Sequence, residues 1–347
     1  MPLMHVEHNA RPCRDVPAEP GPRVRRRLRR AWQTERMTDA APKLLLLDTA
    51  SLYFRAFYGV PDAVKAPDGT SVNAARGLLD MIAKLITVYR PSHVVACWDD
   101  DWRPQWRVDL IPSYKAHRVV EVVPGGADVE EVPDPLEAQI PIIREALGAL
   151  RIPIIGVAEH EADDVIGTLA TTAEMPVDIV TGDRDLFQLI DDGRGVRVVY
   201  TARGMSNLED LTEESVVKKY AILPSQYADF ATMRGDASDG LPGVAGVGEK
   251  TAANLLAVHG DLAAIRTAAE SAAGMSAGVA NKILAAADYL DVAPTVVRVA
   301  TALPITVPAD ALRPLDPAET AAAVAVAEHW NLGTSMARAL EALSRTA

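Results

Sequence analysis

Cysteine is nearly absent. The 347 residues contain two, Cys13 and Cys97, far apart and in no Cys-x-x-Cys pair. That excludes a disulfide framework and a cysteine-bound zinc, and it fits a reducing, cytoplasmic setting. Long apolar runs are missing too. No stretch approaches the roughly 20 residues a membrane-crossing helix needs, and the N-terminus lacks the hydrophobic segment of a secretory signal, so neither membrane nor export is expected. No Walker A loop and no Gly-x-Gly-x-x-Gly after a strand occurs, which sets aside P-loop hydrolases and dinucleotide enzymes. The Gly-x-Ser-x-Gly match at 274–278 has no strand before it, so Ser276 reads as a helix N-cap and not as a nucleophile. The seven histidines are scattered, and His160 reads as a surface or neighbouring residue more than as a ligand. A basic excess is absent as well: 35 Lys and Arg stand against 47 Asp and Glu, a net charge of −12. That argues against a general polyanion binder, unless the acids are concentrated where cations would offset them.

The distribution along the chain supports that concentration. Residues 1–42 hold six prolines and the run RVRRRLRR without apolar periodicity, which reads as a disordered basic extension, and Met37 offers a second start just before the first strand. From 43 onward, short Val, Ile and Leu runs alternate with helical patterns: KLLLLD, a helix over 73–90, HVVACWD, a helix near 136–150, RIPIIGV, a helix from 162, VDIVTGD and VRVVY. This alternation predicts an α/β fold with a doubly wound, mainly parallel sheet over 43–210. After about 210 the pattern becomes consecutive short helices, including 212–220, 224–234, 249–258, 276–289 and 334–345, so 211–347 reads as a helical second domain. The stretch 119–135 is irregular and reads as a mobile excursion.

Ten acids fall where a strand ends or a helix or loop begins: Asp48, Asp99, Asp100, Glu161, Asp163, Asp164, Asp183, Asp185, Asp236 and Asp239. In a doubly wound sheet the site lies beyond the carboxyl ends of the strands, where Asp48, Asp99 and Asp183 converge by topology alone. A single acid at a helix start needs no ligand, since it favours the macrodipole. Ten together point to hard divalent cations, two of which can flank a scissile phosphodiester. The segment WRPQWRVDLIPSYKAHR supplies Arg103, Trp106, Arg107, Tyr114, Lys115, His117 and Arg118, a patch able to hold phosphate and stack on a base or, equally, an amphipathic helix with solvated charges. Arg55, in SLYFRAFY, stands within reach of a phosphate near Asp48. The stretch GVAGVGEKTAANLL, 243–256, reads as a glycine-rich loop entering a helix, where backbone N–H groups receive phosphate.

At HEADDV, TGDRDLFQL and GDASDGLPGVAGVGEKTA, in this order, the chain resembles the 5′ nuclease family: the 5′-nuclease domain of bacterial DNA polymerase I, stand-alone 5′-3′ exonucleases and flap endonucleases. The resemblance covers about Lys43 to Arg345 and implies a PIN-like nuclease core, a gateway at about 102–135 and a helix-hairpin-helix at 241–258. It makes Asp48, the Asp99/Asp100 pair, Glu161, Asp163, Asp183 and Asp185 an inner metal set, with Asp164, Asp236 and Asp239 completing a second site. The strand end favours Asp99 as the single family aspartate, whereas counting back from Trp106 and Arg107 favours Asp100. Arg55, Arg107, Tyr114, Lys115 and Arg118 would act on the scissile phosphate, and Gly243, Gly246, Gly248 and Lys250 would grip duplex backbone without reading sequence. The resemblance further implies two or more Mg²⁺ or Mn²⁺ ions, K⁺ held by hairpin carbonyls, double-stranded DNA with 5′ ends, nicks or flaps as substrate, and a monomer. Since no polymerase region follows, a stand-alone enzyme is expected. After Arg118 the segment is longer than in the family and carries Glu121, Asp128, Glu130, Glu131 and Asp134, acid that would disfavour a threaded 5′ single strand, which leaves the balance of flap cutting and exonuclease action open. A catalytically silent DNA-binding protein, a small-molecule phosphohydrolase and a nuclease for structured RNA are the alternatives; the phosphohydrolase is disfavoured because Thr49 and Ala50 follow Asp48 in place of an Asp-x-Asp pair.

Overall fold

The computed structural model describes residues 41–123 and 128–346, so the basic arm with Cys13 and Met37 lies outside the described residues. Strand β1 (Leu44–Asp48) shows why the sheet is central: Leu44 and Leu46 enter one core cluster, Leu45 and Leu47 the other, and all four are fully buried. Only an unbroken apolar run serves a strand covered on both faces. Each such leucine contributes about 1.5–3 kcal/mol on burial. Strands β2 (His93–Cys97) and β6 (Val177–Thr181) pair parallel to β1 on either side. With β5 (Ile154–Ile155), β7 (Val196–Tyr200) and β8 (Glu209–Leu211) the order is β5-β2-β1-β6-β7-β8, parallel except for β8.

Helices α1 (Thr49–Gly59) and α2 (Asn73–Tyr89) connect β1 to β2 on the face of Leu45 and Leu47, joined there by α5 (Ile140–Ala149). Helix α6 (Ala162–Thr172) covers the opposite face before β6. The strand order therefore reverses at β1, and the crevice beyond the carboxyl ends of β2, β1 and β6 is where Asp99, Asp48 and Asp183 emerge.

Five short elements separate β2 from α5. Helix α3 (Gln105–Leu110) leads through a single 3₁₀ turn, Ala116–Arg118, to the antiparallel pair β3 (Val119–Glu121) and β4 (Val129–Glu130), followed by α4 (Asp134–Glu137). The segment expected to be irregular thus pairs with itself, and residues 124–127 at its turn lie outside the described residues.

Beyond β8 come α7 (Glu213–Tyr220), α8 (Tyr227–Arg234), α9 (Glu249–His259), α10 (Leu262–Ala269), α11 (Ala277–Ala285) and α12 (Ala287–Val297), whose apolar faces share the Leu44/Leu46 cluster. Ser276 caps α11, its Oγ accepting from the Val279 N–H at 3.3 Å. The helical region is not one block, however. Helices α13 (Pro317–His329) and α14 (Gly333–Ser344) return to the Leu45/Leu47 face, where Ala323, Ala327, Met336, Ala339 and Leu343 pack against it. Arg338 pairs with Asp80 of α2 at 2.7 Å across that contact. No helix is long and apolar enough to cross a membrane among the described residues.

Helix α2 starts at Val72, which has no capping side chain, and its exposed donors are met from 65 residues away. Gln139 Oε1 accepts from the N–H groups of Ala74 (2.8 Å) and Ala75 (3.3 Å), while its amide donates to Asn73 Oδ1 and the Pro135 carbonyl. Gln139 is fully buried, so Gln139→Ala strands those donors and should cost about 1–3 kcal/mol. Urea unfolding should show a lower midpoint with an unchanged slope; an unchanged midpoint refutes the capping role.

Candidate metal centre and nucleic-acid interface

Backbone geometry places the first acids. Asp48 ends β1 and caps α1, Oδ1 accepting from the Ser51 N–H at 3.2 Å and Oδ2 from the Thr181 hydroxyl at 2.6 Å. Thr181, fully buried at the end of β6, also accepts from the Asp183 N–H at 2.8 Å. One hydroxyl thus sets the spacing of two acids from neighbouring strands. Asp99 follows β2 and accepts from the Ala162 N–H at 2.8 Å, in the first turn of α6, where Glu161 is the N-cap and Asp163 adds another charge. The positive end of that helix favours all three.

Asp48, Asp99, Glu161, Asp163 and Asp183 line one cavity of about 370 Å³, together with Tyr53, Phe54, Trp102, Lys115, Arg118 and Glu130. Asp185, Asp236 and Asp239 form a second group. Asp183 Oδ1 accepts from the Asp185 N–H at 2.9 Å, and the loop that bears the other two begins where Asp236 exchanges backbone hydrogen bonds with Leu241. The two groups share a field. Burial, then the charges of Asp183, Asp239 and Asp236, pushes the Asp185 carboxyl well up.

The same causes act throughout the bowl. Burial, reinforced by Asp99 and Asp183, raises Asp48 to about 7 against the pull of Thr181. Burial raises Asp99 to about 6, with Glu161 adding to it. Asp163 is pushed well up by burial and then by Asp183 and Asp48. Such a set of oxygen donors is under-compensated, which is the state a hard dication relieves. Among the described residues no three acids, histidines or cysteines are arranged to hold an ion as they stand. Part of the reason is that Glu161 is already engaged: Oε1 accepts from Tyr114 (2.7 Å) and Arg107 (3.0 Å), and Oε2 pairs with Lys115.

Two of the ten expected acids sit elsewhere. Asp100 is exposed beside Gly156, where a Cβ would fall 2.5 Å from its carboxyl, so of the pair only Asp99 reaches the cavity. Asp164 is fully buried and clasped: Arg107 bonds both its oxygens (2.7 and 2.8 Å), and the N–H groups of Ala300 and Glu161 complete it. Burial opposes its charge, but the Arg107 hydrogen bonds hold its carboxyl below the usual range.

The cations divide in the same way. Arg107 is 2% exposed and also donates to the Val296 carbonyl, so it locks α3, α6 and α12 together and does not stand at a gate. Arg103 is buried too, bound to Asp128 and to the carbonyls of Tyr114 and Pro112. Lys115 and Arg118 line the cavity. Arg118 reaches Asp239 at 3.2 Å and Glu130 at 4.0 Å. Arg55 lies one helical turn from Ser51 with its Nε buried and unpartnered, at the edge of a neighbouring cavity that also includes Phe54 and Tyr58.

In the hairpin, Gly243 takes φ 66° and lies against α8 so closely that a Cβ would come within 2.5 Å of the Gly235 nitrogen. Gly248 caps α9 without a side-chain bond, leaving helix N–H groups open beside the exposed Lys250. Thr181 and Ser51 are the contributors that motif reasoning misses, while Glu130, one of the acids noted after Arg118, is placed by the structure in the cavity itself. Thr181 and Ser51 lie inside VDIVTGD and DTASL, two and three residues from acids already singled out, and that adjacency was the available signal.

The family description "5′-3′ exonuclease, N-terminal resolvase-like domain" matches residues 43–221, and "5′-3′ exonuclease, C-terminal SAM fold" matches 222–320. A Streptomyces coelicolor protein described as a 5′-3′ exonuclease is 56% identical over 301 residues, covering 86% of this chain and 100% of its own. A 5′-3′ exonuclease of Mycobacterium tuberculosis is 49% identical over 311 residues, 86% of this chain and 97% of its own. The fold is similar to a solved structure of T5 5′-exonuclease with bound divalent metal ions (zinc), at TM-score 0.58 and 16% identity over 87% of this chain and 99% of that one.

Unfolded aspartates titrate near 4, whereas folded Asp48 and Asp99 titrate near 7 and 6. Between those limits the metal-free fold binds protons that the unfolded chain has released, so its stability must fall as pH rises from about 4 to about 7. In chelator the melting temperature should therefore drop between pH 5 and 7.5, and a divalent ion added at pH 7.5 should restore it. A melting temperature independent of pH and ion would mean that the acids do not share a bowl.

Proposed function

The chain belongs to the 5′-3′ exonuclease family, and we propose that the acid-lined bowl at the carboxyl edge of its sheet is where it cuts. The enzyme is a nuclease, a hydrolase of phosphodiester bonds. The observation that carries the assignment of the site is the sharing of one cavity by six acids from five places in the chain, Glu130 among them, and by Lys115 and Arg118.

The donor set fits hard divalent ions, since it is all carboxylate and burial pushes Asp48, Asp99 and Asp163 up despite the hydrogen bonds and the Lys115 charge near them. We assign Mg²⁺ or Mn²⁺, two or more ions, to Asp48, Asp99, Glu161, Asp163 and Asp183 on one side and Asp185, Asp236 and Asp239 on the other. When bound, these ions supply the charge that polarises the phosphodiester and lowers the pKa of the attacking water. Asp100 and Asp164 are left out of the set, because one faces away and the other is saturated by Arg107.

The chain's own residues do the rest. Thr181 and Ser51 orient Asp48, and Tyr114 with Arg107 fixes Glu161. Lys115 and Arg118 neutralise the non-bridging phosphate oxygens, charge that grows as the bond breaks. Arg55 holds the adjoining phosphate, while Tyr53, Phe54 and Trp102 offer ring faces to the terminal base. The hairpin around Gly243, Gly246, Gly248 and Lys250 grips the duplex backbone beyond the cut, so the substrate is double-stranded DNA recognised by its 5′ end, nick or flap. Glu130, facing the same cavity, adds negative charge on the path of a 5′ single strand and favours exonuclease action over flap cutting.

Asp183→Ala should lower cleavage of nicked and 5′-flap duplex by on the order of 100-fold or more with Mg²⁺ or Mn²⁺. Its DNA binding should stay close to wild type, because the hairpin is untouched. Wild-type activity should vanish in chelator. Full activity of the variant, or cleavage in chelator, rules out this bowl as the site.

A further inference from the structure

Lys115, Arg118 and Arg107 are committed to Glu161, Asp239 and Asp164. Two further cations near the acids are not. Arg184 and Lys219 are exposed, and neither has a carboxylate oxygen within 4.0 Å among the described residues. This sets Arg184 apart, because Asp183 precedes it and Asp185 follows it. Its guanidinium has Tyr227, Tyr220 and Tyr200 as neighbours, and partial burial is what opposes its charge. Lys219, on α7, holds its ammonium 5.1 Å from the ring centre of Tyr220 and 6.0 Å from that of Tyr200.

The surface under these two cations is firm. Tyr200 is the last residue of β7 and pairs in register with Thr181, whose hydroxyl spaces Asp48 and Asp183. It therefore stands on the same edge of the sheet as the acids, one strand further out, or about 4.8 Å. Phe187 packs edge-on against Tyr200 (5.2 Å) and Tyr227 (5.5 Å), and Tyr227 packs edge-on against Tyr220 (5.7 Å), which fixes the rings. The hydroxyls of Tyr220 and Tyr227 are buried without a hydrogen-bond partner among the described residues, a state that folded proteins rarely leave unanswered.

We propose that Arg184 and Lys219, backed by these tyrosines, form a phosphate site for the substrate strand one sheet strand beyond Asp183. One strand spacing is comparable to the roughly 3.4 Å rise of a nucleotide step, so the ligand is a backbone phosphate close to the one being cut. Arginine offers a planar fork to two oxygens and lysine a point charge. The phosphate in turn brings acceptors to the tyrosine hydroxyls, directly or through water. Neither cation reads a base, so the contact is independent of sequence.

The inference rests on the bowl being the place of cutting, and the two are tested apart. Anisotropy of a labelled nicked duplex in chelator, where nothing is cut, measures the contact. Lys219→Ala should bind roughly 3- to 10-fold more weakly, equally on unrelated sequences, with the slope of log K against log salt reduced by about 1. Lys219→Arg should recover most of the loss, and adding Arg184→Ala to Lys219→Ala should remove about one more unit of slope. The melting temperature of Lys219→Ala should match the wild type, since the side chain is exposed. With Mg²⁺, Lys219→Ala should raise KM and leave kcat within about 2-fold. Wild-type affinity and slope in Lys219→Ala, or a loss confined to kcat, overturn the proposal. A wild type that binds the duplex but leaves it uncut with Mg²⁺ or Mn²⁺ overturns the bowl instead, and the salt slopes still decide the phosphate site.

Discussion

Asp48, Asp99 and Asp163 are drawn partly or wholly out of water into one cavity, and carboxylates so placed repel one another while losing hydration. Packing on both sides of the sheet holds them there. The leucines of β1 fix Asp48 at a strand end that cannot shift by one residue without turning apolar side chains to the wrong face. Stability gained in the core thus holds together a charge arrangement that is unfavourable on its own, as expected where binding energy for ions is stored in the fold.

The cations show how that unfavourable arrangement is contained. Arg107 meets Glu161, Asp164 and the Val296 carbonyl, and so ties the helix that carries the acids to its own helix α3 and to the helical layer behind it. A buried pair of this kind adds little net stability over apolar packing but is costly to break, because the remaining charge is left without a partner. Its work is positional. Lys115 is different, since it lines the cavity and pairs with the one acid whose other oxygen Tyr114 and Arg107 already hold.

Much of this is legible in the chain. The strand runs end in acids, so topology alone gathers Asp48, Asp99 and Asp183, and the glycine spacing of the hairpin announces a close backbone approach. What could not be read depends on contacts between distant positions. Asp163 and Asp164 are adjacent and chemically identical, yet helical geometry sends one to the cavity and the other to Arg107, 57 residues away. Asp99 and Asp100 separate for a similar reason, with Gly156 leaving room for the second beside β5. Helix α13 was hidden because its alanine-rich faces carry little apolar contrast, whereas the strong periodicity of α2 predicted its span closely; α14 is as clearly amphipathic, but which face of the sheet it covers is a contact between distant positions.

The segment 113–118 and the second acid group form a single mechanical unit. Lys115 N–H donates to the Asp239 carbonyl at 3.0 Å, Ser113 Oγ to the Gly240 carbonyl at 2.8 Å, and Arg118 to the Ser238 carbonyl at 2.8 Å. Gly240 has no room for a Cβ against the Ser113 carbonyl, and at φ 70° it closes the turn that presents Asp239. The same loop continues through the Asp236–Leu241 bridge into the hairpin. A pull that moves Arg118 away from Asp239 therefore acts on the loop that carries an acid of the second group, and a displacement of the glycine-rich stretch after Leu241 acts on it from the other end. Three contacts within six residues, Ser113 to Arg118, couple that segment to the acids of the second group, without any large movement of the sheet.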